Sequence, residues 1–218
     1  IIKTLTSIPK GKTILDVGAG EMPYKKYCSH LKYMSQDFGE YTGDGVGIGI
    51  QTGKFDARLV DIISDITHIP TDKTFDYILC SEVFEHIPNP FLALKEISRI
   101  QKKGGKLILT APFASLTHFY PYFFISGFSD NFYLDNLPKY GYKIEKMYIY
   151  GNYFDWLGQE FLRLPLIVLQ CNRIVFLLIL PIVLLAIPWF VMLRILGFLF
   201  PQTKKILCYG VCTVSTKV

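Results

Sequence analysis

Residues 13 to 23 read Thr-Ile-Leu-Asp-Val-Gly-Ala-Gly-Glu-Met-Pro, an apolar strand-like run delivering Gly18-Ala19-Gly20. Two glycines one residue apart let a backbone turn sharply and approach a ligand closely. Two carboxylates close later strand-like runs, Asp37 after Tyr33–Gln36 and Asp65 after Leu59–Ser64. A carboxylate in Asp37's place can accept hydrogen bonds from both hydroxyls of a ribose. Asp65, with the backbone N–H of Ile66, can read the amino edge of an adenine. Pro23 stands where a Gly-x-Gly-x-x-Gly fingerprint has its third glycine. A pyrophosphate seated on a closely packed helix, as a nicotinamide dinucleotide requires, is therefore disfavoured.

Of the four histidines, His118 lies where a proton acceptor for catalysis would be useful, after the fifth strand-like run. His86, in Glu85-His86-Ile-Pro, is read as ordering its loop, and His30 and His68 have no constellation around them. The five cysteines lack the paired spacing of a zinc site and are too few for a disulfide scaffold, so no metal is expected and a reducing compartment is the default. Cys208 and Cys212 read as core packing.

The elements that must position these groups alternate. Lys12–Val17, Tyr33–Gln36, Leu59–Ser64, Phe75–Cys80 and Lys106–Thr110 are short apolar runs bounded by turns, as a parallel sheet covered on both faces requires. Asn89 and Pro90 begin a helix with the stripe Phe91, Leu94, Ile97 and Ile100, and Gly104–Gly105 are expected to stop it. A segment holding Tyr24, Tyr27 and Leu31 follows the glycine turn. Tyr142–Tyr150 and Ile206–Thr216 read as the final strands. Together these predict a doubly wound α/β domain with ligands at the carboxyl ends of its strands.

At 218 residues, with half of them hydrophobic and 19% charged, the chain is neither disordered nor a coiled coil. Mean hydropathy is +0.30. The net charge of +5 is unevenly placed: Arg163, Arg173, Arg194, Lys204, Lys205 and Lys217 follow Glu160, after which there is no acidic residue. The preceding part holds 17 basic against 18 acidic side chains, which argues against a nucleic-acid footprint. The sequence opens on Ile1, so the natural start is expected to be missing, and no signal peptide is visible.

The glycine turn, Asp37 and Asp65 resemble those of class I S-adenosylmethionine-dependent methyltransferases, in the small-molecule (type 11-like) branch whose first motif is Leu-Asp-x-Gly-x-Gly. The resemblance covers about residues 12–150. It includes Phe75-Asp-Tyr-Ile-Leu-Cys-Ser-Glu-Val-Phe-Glu-His-Ile-Pro88 and Lys103-Gly-Gly-Lys-Leu-Ile-Leu-Thr-Ala-Pro112. It implies a Rossmann-like, mostly parallel seven-stranded sheet with an antiparallel last strand. It also implies S-adenosylmethionine as cosubstrate: Asp16, Gly18, Ala19 and Gly20 at the methionine end, Asp37 on the ribose, Asp65 and Ile66 on the adenine, Ser81 and Glu82 as the far wall. His118 is the candidate catalytic base. Many relatives carry Asp-x-x-Arg-x-Thr in the acceptor region, where this chain has Phe124 and Gly127 at the Asp and Arg positions, so no substrate contact carries over from them. The aromatic run Phe119, Tyr120, Tyr122, Phe123, Phe124 and Phe128 is partly core, and its surplus would form an apolar or sugar-stacking acceptor pocket.

Ile174–Leu193 is twenty residues without a charge, long enough by count to cross a bilayer. A last strand rejoining the sheet forbids a single crossing, and Pro181 and Pro188 are expected to break the run. The expectation is a hydrophobic helical insertion over 156–205, lying monotopically on an anionic membrane surface, between a core of 1–155 and a last strand in 206–218. A homodimer interface is the alternative. The combined reading is a cytoplasmic, membrane-associated O-methyltransferase of a small-molecule, lipid-linked or glycan-precursor acceptor, by resemblance one of polysaccharide synthesis. A non-catalytic scaffold with the same fold is the second reading, and a nicotinamide-dependent oxidoreductase the least favoured.

Overall fold

The computed structural model describes residues 1–43, 47–50, 53–185 and 187–218. The chain divides into two compact units. One comprises Ile1–Tyr148 with Val211–Val218, and the other Ile149–Gly210.

The first unit is built on a seven-stranded sheet. In chain order its strands are β1 (Thr13–Val17), β2 (Lys32–Asp37), β3 (Ile62–Ile63), β4 (Phe75–Ser81), β5 (Gln101–Pro112), β6 (Tyr142–Tyr150) and β7 (Gly210–Lys217). The spatial order is β3-β2-β1-β4-β5-β7-β6. The pairs β1–β2, β1–β4, β2–β3 and β4–β5 are parallel, and the last strand is antiparallel. This is a Rossmann-like, doubly wound α/β architecture. The order reverses at β1, so the crevice outside β1 and β4 is the topological switch point where such sheets take ligands. Leu15, Ile78, Leu79, Leu107, Ile108 and Leu109 are fully buried along the central strands, as strands covered on both faces must be.

Helix α2 (Pro90–Ile100) begins as its residue types dictate: Asn89 Oδ1 accepts from the N–H groups of Phe91 and Leu92 at 3.2 and 3.3 Å. It buries Leu94, Ile97 and Ile100. Its end is not set by Gly104–Gly105. The chain passes into β5 at Gln101, and the two glycines lie inside that strand. The β4–β5 register jumps from Phe75↔Gln101 to Tyr77↔Lys106, and an added Cβ on Gly105 would stand 2.9 Å from the Asp76 carbonyl oxygen. The pair serves a bulge rather than a helix cap. The segment after β1 forms a single 3₁₀ turn at Lys25–Tyr27. One further expectation shortens: the run Leu59–Ser64 pairs only through Ile62–Ile63. Helices α1 (Ile2–Thr6) and α3 (Asp130–Lys139) complete the unit.

The second unit holds α4 (Tyr153–Cys171), α5 (Arg173–Leu185) and α6 (Ile187–Leu199). Asn152 caps α4 by accepting from Phe154 and Asp155, and its Nδ2 donates to the Gly197 carbonyl at 2.9 Å. Gly158 of α4 is buried against Phe190 of α6, whose ring lies 3.5 Å from where a Cβ would stand, an ordinary contact distance. Pro181 does not break the apolar run but sits inside α5. Arg163 pairs with Glu160 and Arg194 with Asp155. Among the described residues no helix is both long and apolar enough to cross a membrane.

Candidate functional site

At the carboxyl end of β1 the backbone enters positive φ twice, +65° at Gly18 and +53° at Gly20. A Cβ on Gly18 would meet Val83 Cγ2 at 2.4 Å, and one on Gly20 would meet the Phe55 ring at 2.9 Å. The turn is tied to β2 through three hydrogen bonds. Ala19 N donates to the Gln36 carbonyl at 2.9 Å, Gly18 N to Gln36 Oε1 at 3.3 Å, and Gly20 N to Asp37 Oδ2 at 2.8 Å. The other Asp37 oxygen accepts from Gly39 N at 2.9 Å. Two backbone donors thus fix a carboxylate at the end of β2, on the rim of a cavity of about 520 Å³.

The remaining cofactor candidates converge on that cavity. Asp65 Oδ1 accepts from the N–H and the hydroxyl of Thr67, both at 2.7 Å, which holds Asp65 and Ile66 in the lining. Ser81 ends β4 and Glu82 follows it. Glu82 adopts φ +56°, and its Oε1 accepts from Thr110 at 2.8 Å, while burial raises its pKa. Gly18, Ala19, Gly20, Asp37, Asp65, Ile66, Ser81, Glu82 and His118 all line the one cavity. Asp16 does not. Strand alternation turns it under the turn, where it is buried and accepts from the Tyr33 hydroxyl at 2.7 Å. Burial raises its pKa to about 7, with Asp37's charge adding to the shift.

The opposite wall comes from the 3₁₀ turn Phe84–His86 and the segment after β5. His86 Nδ1 lies 2.6 Å from the Tyr122 carbonyl, and His118 Nδ1 lies 2.8 Å from the Leu116 carbonyl. In the neutral rings each Nδ1 must therefore donate, and each Nε2 keeps its lone pair. The two rings stand edge to face at 4.8 Å. Burial lowers the His86 pKa to about 4. Glu85 lies beneath, with Oε1 3.7 Å from His86 Nε2 and with Oε2 buried without a hydrogen-bond partner. Desolvation raises its pKa to about 8, and the neighbouring Glu82 charge adds to this. The Glu85 carbonyl accepts from Phe124 and Ile125 at 2.9 and 3.1 Å. His86 thus orders its loop, as its sequence setting suggested, and also faces the cavity.

Aromatic rings close the space. Tyr41 stacks on Phe119 at 4.4 Å, and Phe55 meets Phe119 edge-on at 5.2 Å. Tyr122 packs against Phe38 and donates from its hydroxyl to Glu40 at 3.1 Å. Phe119, Tyr122 and Phe124 line the cavity, whereas Phe128 is core, packed on Phe84 and Phe132. Tyr41, Phe55 and Glu40 were not singled out from the sequence, because no apolar run or motif marks residues 38–55. Their signal is the placing of large rings among the glycines of that segment. No lysine or arginine is among the described residues lining the cavity, while Glu21, Asp37, Asp65 and Glu82 are.

Comparison with known proteins adds the following. The methyltransferase-domain family matches residues 15–109. The (S)-tetrahydroprotoberberine N-methyltransferase of Eschscholzia californica is 35% identical over 95 residues, 42% of this chain and 27% of that protein. The chain spans about a quarter of the length of the curated relatives it matches. Among solved structures, an S-adenosylmethionine-dependent methyltransferase from Archaeoglobus fulgidus superimposes with TM-score 0.54 at 14% identity, covering 95% of this chain and 86% of that one. A TehB-like methyltransferase from Corynebacterium glutamicum does so with TM-score 0.53 at 14% identity, covering 100% and 87%. At such identities the likeness is one of fold.

Proposed function

We propose that this chain is a class I S-adenosylmethionine-dependent methyltransferase and methylates a hydroxyl of an apolar small molecule held under Phe119, Tyr122 and Phe124. The observation that carries the acceptor chemistry is the pair of imidazoles with Nδ1 tied to a carbonyl and Nε2 left as an acceptor on the cavity wall. Methyl transfer from a sulfonium is an in-line displacement, so the protein must align the acceptor oxygen and receive its proton. In this reading Asp37 holds the ribose, Asp65 and Ile66 the adenine, and the glycine turn the methionine end. Asp16 acts by bracing that turn through Tyr33 rather than by touching the cosubstrate. Ser81 and Glu82 form the wall beside the sulfonium, and His118 receives the proton. The acid-only charge of the lining suits a cationic cosubstrate and disfavours a phosphate inside the cavity. A lipid-linked acceptor would have to keep its phosphate outside.

The relatives named for N-methylation favour a second reading, an amine acceptor. Incubating the purified protein with methyl-labelled S-adenosylmethionine and matched phenol, sugar and amine acceptors separates the two. Label on the hydroxyl compounds supports the first reading, and label on the amines alone overturns it. No transfer to any acceptor, with no binding of S-adenosylhomocysteine, would return the chain to a non-catalytic scaffold.

For the second unit we infer a monotopic seat on an anionic membrane. Ile174, Leu177 and Leu178, spaced along α5, are 71%, 64% and 72% exposed, and Trp189 and Phe198 of α6 are exposed too. The same segment carries Arg173, Lys204 and Lys205 and has no acidic residue after Glu160. Each basic side chain near an anionic lipid surface contributes about 1 kcal/mol. The protein should sediment with vesicles containing phosphatidylglycerol, and Leu177→Glu with Leu178→Glu should release it. Unchanged sedimentation of the double variant, or a concentration-dependent dimer that stays in the supernatant, overturns this seat.

A further inference from the structure

Glu85, His86 and His118 come from two segments far apart in sequence, yet one ligand atom from each lies within 4.8 Å of the others. We propose that these three residues bind one divalent transition-metal ion, with zinc the best match to the donor set.

Four observations support the assignment. The donors are two imidazoles and one carboxylate, a set that zinc accepts with positions left for water or substrate. Both imidazoles already donate Nδ1–H to backbone carbonyls, those of Tyr122 and Leu116. That arrangement fixes the tautomer, aims the Nε2 lone pair and is the usual outer shell of a metal-bound histidine. Glu85 is 1% exposed, and its Oε2 has no hydrogen-bond partner. A buried carboxylate oxygen without a donor lacks compensation for its desolvation. No lysine or arginine lines the cavity to supply it among the described residues. A bound cation supplies it directly, and Glu82, on the same wall, adds negative potential.

The donors also need little rearrangement. Tetrahedral bonds of about 2.0–2.2 Å place ligand atoms roughly 3.4 Å apart. A separation of 4.8 Å must therefore contract by about 1.4 Å, a distance that rotation of Glu85 and a small shift of the segment bearing His118 can cover. Sequence spacing could not reveal such a site, because only Glu85 and His86 are adjacent in the chain.

The ion would sit on the acceptor side of the cavity, and there it deepens the hydroxyl reading on which this part rests. With both Nε2 atoms on the ion, His118 cannot also take the proton; an acceptor hydroxyl on an open position of the ion would release its proton to Glu82 on the same wall, while its remaining lone pairs stay available to the methyl group. An amine bound to the same ion would have its only lone pair occupied.

Titration decides the site. The full chain, stripped with a chelator and saturated with S-adenosylhomocysteine, is titrated with Zn²⁺ by calorimetry and with Co²⁺ by visible absorption. The expected result is one ion per chain at micromolar affinity or tighter. Glu85→Gln and His118→Ala should each weaken it by about tenfold or more. His118→Cys should retain the ion and add a thiolate-to-cobalt charge-transfer band. Binding of the parent weaker than about 1 mM, or equal binding by parent, Glu85→Gln and His118→Ala, overturns the proposal. The readout is binding, so it stands apart from turnover. An ion bound by a chain that methylates only amines would keep the site and remove its tie to the hydroxyl reading.

Discussion

Replacing Asp37 tests the cosubstrate site most directly, because its carboxylate has two duties. It already accepts from the N–H groups of Gly20 and Gly39 at 2.8 and 2.9 Å. Its remaining lone pairs face the cavity, where the ribose hydroxyls are assigned. A hydrogen bond to a charged group contributes about 1.5–3 kcal/mol. Losing two ribose contacts in Asp37→Ala therefore weakens S-adenosylhomocysteine binding by about 3–6 kcal/mol at most, before water compensates. Asp37→Asn keeps one acceptor oxygen and should lose about half of that, a factor on the order of 10–100. Both variants also unfasten the Gly18–Gly20 turn, so part of the loss is indirect. A cycle with an S-adenosylhomocysteine analogue lacking the 2′-hydroxyl separates the direct part. Calorimetry should show the analogue losing less on mutation than the parent ligand does. If Asp37→Ala binds S-adenosylhomocysteine within about threefold of the parent chain, or if the two ligands lose equally, the ribose assignment is refuted.

Other expected outcomes are these. Gly18→Ala should destabilise the fold by about 1–3 kcal/mol, because its Cβ would stand 2.4 Å from Val83 Cγ2 at φ +65°; Val83→Ala should restore part of the loss in urea unfolding, and full stability of the single variant would contradict the geometry. Asp16 has a folded pKa of about 7, above its usual 3.8, so the folded state holds the proton more tightly and stability falls as pH rises between those values. Asp16→Asn keeps an acceptor for Tyr33 and should remove at most roughly 2–3 kcal/mol of the decline between pH 5 and 8; parallel denaturation profiles for the two proteins would show that Asp16 titrates normally. His118→Ala should lower turnover by about 10²–10⁴-fold with S-adenosylhomocysteine affinity nearly unchanged, and near-normal turnover would leave His118 with only its Leu116 contact.

The parallel half of the sheet was legible in the sequence because its signals are local. Apolar runs such as Phe75–Cys80 and Lys106–Thr110 are bounded by turns, and Asn89-Pro90 marks a helix start within two residues. The cavity candidates were legible because strand ends in a doubly wound sheet share one edge, so Gly18, Asp37, Asp65 and Ser81 had to meet. What depends on pairing across the sheet was not. Gly104–Gly105 look like a helix stop until the register with Asp76 shows the bulge. Asp16 belongs to the glycine motif by sequence, but the direction of its side chain is decided by strand alternation and by Tyr33 on β2. Proline was over-read in the apolar segment. Pro181 removes one donor from α5 without ending it, whereas Pro188 stands in the first turn of α6, where a missing N–H leaves no intrahelical bond unmade. The Glu85, His86 and His118 cluster needs the loop after β5 folded back on the turn after β4, a long-range closure that no local spacing encodes.

Strand order also constrains how the protein is made. Strand β7 lies between β5 and β6, yet about sixty residues of the second unit are translated between β6 and β7. At a synthesis rate of about 5–20 residues per second, the nascent sheet waits roughly 3–12 s with the edge of β5 open and β6 without its neighbour. During that interval the most apolar segment of the chain emerges beside an unpaired strand edge, the combination that invites aggregation. A lipid surface or a chaperone that takes up α5 and α6 as they leave the ribosome would therefore raise the yield of folded protein without touching the first unit. Expression should respond more strongly to the membrane content of the host than to the stability of the isolated sheet.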